Sequence, residues 1–286
     1  MFASLLLAAS IEFSVADASF AYECASNLVE KCTPRDAGTA KGRAAAKWIF
    51  DTCSDNGVEV RKDVFTASTP RGRRTFTNLY CEFEVDPKAG WVVVVSHFDT
   101  KPGTSCPGAN DGASTTGLLI ALAKAVSARR LPNGNLMLIW TDGEECLYGY
   151  SENDGFWGSK HAAEKLARAG RDVRAAICID MLGDRNLKVS VPANSDAGLA
   201  QVASDAARLA GLGDGFITRM REDVKDDHVP FAARGWRAID LIDFEYGSVP
   251  GLNNWWHTSA DTIDKISIKS LYDSGRLLAE MLNIIL

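Results

Sequence analysis

Residues 96–103, SHFDTKPG, close a run of four valines with His97, one of only four histidines in the chain. Asp99 follows two residues later. On an extended segment both side chains project to the same side, which suits an imidazole ligand with a carboxylate near its other ring nitrogen. Further along, PGANDGAST places Asp111 just ahead of a helical pattern, TDGEE supplies the neighbours Glu144 and Glu145, ICID ends in Asp180, and NNWWHTSADT carries His257. Adjacent glutamates point differently, so one can bind a metal while the other moves protons. Histidines and carboxylates gathered from separate strand ends form a nitrogen/oxygen donor set, and zinc suits it best.

Each piece alone has an ordinary reading. A strand-end histidine is commonly a hydrogen-bonded core residue, DGEE a solvated turn, Asp111 a helix cap and Asp180 a satisfied buried carboxylate. Their common location argues for a site. His161, in GSKH, reads as structural.

The elements that position these residues follow from hydrophobic periodicity. Helices are expected near 17–32, 41–56, 112–129, 157–169, 194–211 and 267–285. VEVRKDVF and TFTNLYCEFEV alternate as paired strands, a candidate antiparallel edge. WVVVV, NLMLIW and RAAICID are continuously apolar and suit strands buried on both faces; RAIDLID adds another. Strands alternating with helices predict an α/β fold with a mainly parallel central sheet, whose ligands bind beyond the carboxyl ends of the strands. The chemically able residues cluster at those ends. Without a linker, residues 17–286 read as one domain behind an N-terminal segment, 1–16.

The net charge of −6 offers no basic footprint for nucleic acid, and no apolar run reaches membrane-span length. The first residues have the apolar stretch of an export signal without its basic start. They read equally as a signal or as a helix, which leaves exported and cytoplasmic locations both open. Seven cysteines form no CxxC pair, which argues against a cysteine-type zinc site. Cys81 and Cys178 read as buried thiols; disulfides among Cys24, Cys32, Cys53, Cys106 and Cys146 stay open, as does oligomeric state.

HFDT, GANDGAS, DGEE, IDMLGD, DDHVPF and WHTSADT, in this order from about Ala18 to the C-terminus, resemble the family that joins zinc aminopeptidases with animal-type glutaminyl-peptide cyclotransferases. The resemblance implies a three-layer α/β/α sandwich around a mixed, mainly parallel, twisted sheet, and an enzyme acting on peptide or protein N-termini. It implies Asp111, Glu145 and His257 as ligands of one zinc. In a two-zinc peptidase Asp111 would bridge, with His97 and Asp180 on the second ion and Asp99 orienting His97. Glu144 would be the general base and acid, linked to Asp180 and Asp226 in a carboxyl relay, with Tyr150 and Trp256 as pocket aromatics. The segment around Tyr150, Asp226 before Asp227–His228, and Trp256 before His257 favour a cyclase, close to bacterial cyclase-like members. A di-zinc aminopeptidase is the alternative, and a non-catalytic binding protein on the same scaffold a third reading. Ser96 and Thr116 stand where animal cyclases carry a cysteine pair, and Lys225 where they carry glutamine. FEYGSVPGLNN also departs from the animal pocket loop.

Overall fold

The structure, a computed structural model, describes residues 10–128, 131 and 134–286. Most of the segment that reads as signal or helix, residues 1–9, lies outside the described residues. Residues 10–14 have no regular structure and lead into α1 (Val15–Cys32). Ser14 caps α1 in a reciprocal box: its hydroxyl accepts from the Asp17 N–H while Asp17 accepts from the Ser14 N–H. Then follow α2 (Ala40–Asp55), β1 (Arg61–Thr69), β2 (Gly72–Phe83), β3 (Trp91–His97), α3 (Thr115–Ser127), β4 (Asn135–Thr141) and α4 (Trp157–Arg168). The chain continues through β5 (Val173–Asp180), β6 (Val189–Val191), α5 (Ala197–Leu209), β7 (Ile217–Arg219), α6 (His228–Ala232), β8 (Ala238–Ile242) and α7 (Ile268–Ile285).

The eight strands form one mixed sheet in the order β1-β2-β4-β3-β5-β8-β6-β7. Its centre, β4-β3-β5-β8, is parallel. The alternating strands β1 and β2 pair antiparallel and join the centre at β4, forming the expected edge. The short elements β6, β7 and α6 lack a periodicity long enough to read from sequence.

Alternation along the central strands sorts their side chains into two layers. Val92, Val94, Ile177, Ile179, Ile239 and Leu241 join the core beneath α1, α2, α3, α5 and α7. Val93, Val95, Ala176 and Ala238 face the opposite side, where α4 and α6 contribute Ala162, Leu166 and Phe231. This is the expected three-layer sandwich. His97, Asp180 and Asp240 continue the second set, so the polar residues emerge where the thinner α4/α6 layer ends. All seven cysteines are buried free thiols, so none of the disulfides left open by the sequence is formed. No described helix is long and apolar enough to cross a membrane.

Candidate active site

The carboxyl ends of β3, β4 and β5 deliver His97, the loop Asp142–Cys146 and Asp180 to one place. Asp111 arrives on the irregular π-type turn 109–114, where its backbone leaves helical geometry and Gly112 takes φ +89°. A Cβ on Gly112 would meet the His97 ring at 3.0 Å; glycine allows both the left-handed turn and this approach. His257 itself sits at φ 59°, a costly conformation for a residue with a side chain and one that concentrates at functional sites.

Two sets of ligand atoms result, sharing Asp111: His97, Asp111 and Asp180, and Asp111, Glu145 and His257. His257 Nε2 lies 2.9 Å from Glu145 Oε1 and 3.3 Å from Asp111 Oδ2. Yet neither oxygen receives an aligned hydrogen bond. Two buried carboxylate oxygens and a half-buried imidazole that face one another without satisfying one another fit a shared cation, and the nitrogen/oxygen set suits zinc. His97 Nε2 lies 3.1 Å from Asp180 Oδ1 and 3.2 Å from Asp111 Oδ1.

Asp99 does more than face His97. Its carboxylate is 3.5 Å from His97 Nδ1, but its hydrogen bonds come from the N–H groups of Gly143, Glu144 and Glu145, at 3.0–3.2 Å. It therefore ties the glutamate loop to the end of β3. Glu145 is fixed from its other oxygen, where Lys101 Nζ donates to Oε2 at 3.2 Å. The Tyr150 hydroxyl reaches Glu144 Oε2 at 3.2 Å and Glu145 Oε2 at 3.3 Å. Trp256 stacks on the His257 ring at 3.8 Å between centroids.

A cavity of about 200 Å³ opens here, lined among others by Glu144, Tyr150, Asp180, Asp226, Trp256 and His257. Lys225 also lines it and reaches the Tyr150 carbonyl at 3.4 Å. Asp180 pairs through Oδ1 with His97 Nε2. Asp226 accepts from the Asp227 N–H at 2.5 Å and the Cys178 thiol at 3.4 Å. Asp227 in turn accepts from Thr141 at 2.6 Å and Ser159 at 2.5 Å.

Carboxyl groups crowd this space, and their proton affinities diverge. Burial, then Glu145, pushes Glu144 well above the usual carboxylate range, with Asp226 adding to it. Burial raises Asp180 to about 6 against the pull of His97. Burial and the Asp180 charge bring Asp226 to about 7. Burial also raises Asp111, but His257 and His97 outweigh it and hold Asp111 well below its ordinary value. His257, lowered by burial, is carried up to about 9 by Asp111 and Glu145. Neighbouring acids driven apart in this way are a mark of acid–base sites.

Every residue singled out from the sequence for the site is therefore in one place. His161 is elsewhere, stacked on Phe65 and bonded to Asp63, a structural role. Ser96 and Thr116 direct their hydroxyls elsewhere: Ser96 donates to Thr115, and Thr116 donates to the His97 carbonyl. Sequence reasoning missed several supports. Lys101 stood two residues beyond Asp99. Asp261, inside WHTSADT, accepts the N–H groups of Asn110 and Asp111 and the Tyr246 hydroxyl. Arg35 is fully buried and donates to the carbonyls of Phe98, Pro107 and Gly108; nothing in its sequence surroundings marks it.

The sequence profile of peptidase family M28 matches residues 78–282. The glutaminyl-peptide cyclotransferase-like protein of Bos taurus is 29% identical over 280 residues, covering 87% of this chain and 71% of its own. A glutaminyl cyclase from an Acidobacteriales bacterium superposes with a TM-score of 0.88 at 30% identity, covering 100% of this chain and 98% of that one. A Zn-dependent exopeptidase from Parabacteroides distasonis shares the fold, with a TM-score of 0.80 at 22% identity and 96% and 99% coverage.

Proposed function

The chain belongs to peptidase family M28, and on that premise we propose that it is a zinc-dependent enzyme of peptide N-termini that converts N-terminal glutamine to pyroglutamate with release of ammonia. The observation that carries the choice of reaction is Asp226. It lines the cavity beside Glu144 and Asp180, yet belongs to neither ligand set that faces the cavity. Activating a water needs a single base, and Asp226 adds a further acid beside that base, as the resemblance to the cyclases implies.

In this reading Asp111, Glu145 and His257 hold one zinc. When bound, it supplies Lewis-acid polarisation of the substrate's side-chain amide. Lys101 and Asp99 keep Glu145 in place, one through the carboxylate and one through the backbone. The glutamine side chain enters between Tyr150 and Trp256, a snug pocket for one small group. Its α-amine attacks its own side-chain carbonyl carbon. Glu144 takes a proton from that amine as the new C–N bond forms. It returns the proton to the departing nitrogen, which leaves as ammonia. Acid–base help of this kind contributes about 10²–10⁴-fold. Closely packed carboxyls cannot all ionise, so Glu144 shares a proton with its neighbours and acts as the base when that proton rests on one of them.

The alternative, a di-zinc aminopeptidase, is favoured by one observation: His97, Asp111 and Asp180 are close enough for a second ion. There Glu144 would take its proton from water instead of an amine. Mass spectrometry of a glutamine-initiated peptide after incubation separates the two. Cyclisation removes one ammonia and keeps the chain length; the peptidase shortens the chain by one residue.

A further inference from the structure

Below the cavity floor Asp226 meets polar residues that have no part in the chemistry described so far. Cys178 and Asp240 are register partners on the adjacent parallel strands β5 and β8, so their side chains stand next to each other on one sheet face. Each lies one alternation below the rung of Asp180 and Ile242. Asp226 and His228, at the start of α6, cover them. Ligand atoms of Cys178, Asp226 and Asp240 all lie within 4.8 Å of one another.

Asp240 is 0% exposed, and neither of its oxygens receives a hydrogen bond. An ionised carboxylate left so would carry a large desolvation cost. The basic group beside it is His228, with Nδ1 4.0 Å away. Burial holds that imidazole down at about 4, in its neutral form, so it does not supply a counter-charge. A protonated carboxyl has no such difficulty, because it becomes a donor. The carboxylate gathered with it is Asp226, which already takes the Asp227 N–H and the Cys178 thiol.

We propose that Asp240 is a positioning residue for the reaction: a neutral carboxylic acid that donates its proton to the carboxylate of Asp226 and holds that side chain toward Glu144 and Asp180. The inference rests on the cyclase reading for its consequence, though not for its chemistry. Three donors on Asp226, the Asp227 N–H, the Cys178 thiol and the Asp240 acid, favour its ionised form against burial and the Asp180 charge and fix the side chain where it lines the cavity. Burial and the charges of Asp226 and Asp180 raise Asp240 well above the ordinary carboxylate range, in keeping with this state. The sequence offered one hint, an aspartate inside an otherwise apolar buried strand, AIDLI.

Two replacements of Asp240 test the assignment on the zinc-loaded enzyme. Asp240→Asn keeps a donor of the same shape, and its kcat should stay near that of the parent. Asp240→Leu removes the donor, and kcat should fall about tenfold with KM unchanged, the scale of an outer-shell hydrogen-bond partner. Its melting temperature should stay near that of the parent, since removal of a buried acid offsets the strain of a side chain with the same branching but greater bulk. The infrared difference between the parent and Asp240→Asn should show loss of a protonated-carboxyl stretch. Unchanged turnover in Asp240→Leu, an equal fall in Asp240→Asn, or no lost carboxyl band overturns the proposal. So does metal loss in Asp240→Asn, which would make the cluster a thiolate metal site. If the parent does not cyclise glutamine, the functional reading fails by itself, while the infrared measurement still decides the state of Asp240.

Discussion

His257 Nε2 lies 2.9 Å from Glu145 Oε1, although the two residues are 112 positions apart in sequence (257 − 145) and His257 reaches that place only by adopting φ 59°. Strain of this kind persists when the surroundings hold it, and in the proposed function a cation shared with Asp111 would add to that hold. His257→Ala should therefore lose tightly bound zinc, measured by elemental analysis after dialysis. Undiminished zinc would remove His257 from the ligand set.

Lys101 contacts Glu145 from the side away from His257, through Oε2 at 3.2 Å. Lys101→Met keeps the aliphatic stem and removes the charge. Zinc affinity should weaken by about 10–100-fold, as for other outer-shell partners of metal ligands. Competition with a chelator measures it, and an unchanged affinity would show that Glu145 needs no such brace.

Glu144 sits next to the proposed ligand Glu145 but belongs to neither set of ligand atoms, and its carboxylate accepts from the Tyr150 hydroxyl at 3.2 Å. Glu144→Gln should keep the metal and the melting temperature while kcat falls about 10²–10⁴-fold. Loss of zinc in this variant, or near-normal turnover, would reverse the roles of the two glutamates.

Much of this site was legible because its residues end strands that are strongly apolar. WVVVV to His97, NLMLIW to the double glutamate and RAAICID to Asp180 mark both the sheet and the edge where chemistry collects. The supports were harder to read. Arg35 acts through backbone carbonyls far away in sequence, which no local pattern reports. From the sequence Asp99 reads as a partner of His97, yet its carboxylate accepts from the N–H groups of a loop more than forty residues further on. Asp240 and Cys178 become neighbours only through the register of β5 and β8, and that register depends on a crossover joining distant segments. The short β6, β7 and α6 are set by tertiary packing rather than by their own periodicity.

The separation of one-ion from two-ion chemistry turns on His97 and Asp180, which bond each other at 3.1 Å. The most direct measurement is a zinc titration of metal-stripped enzyme, following ammonia release from a glutamine dipeptide amide and cleavage of a leucine anilide together. The account predicts that ammonia release reaches its plateau at about one zinc per chain, that anilide cleavage stays negligible, and that His97→Ala keeps the tight zinc. Anilide cleavage that appears only with the second equivalent of zinc, and is lost in His97→Ala, would contradict it and identify an aminopeptidase.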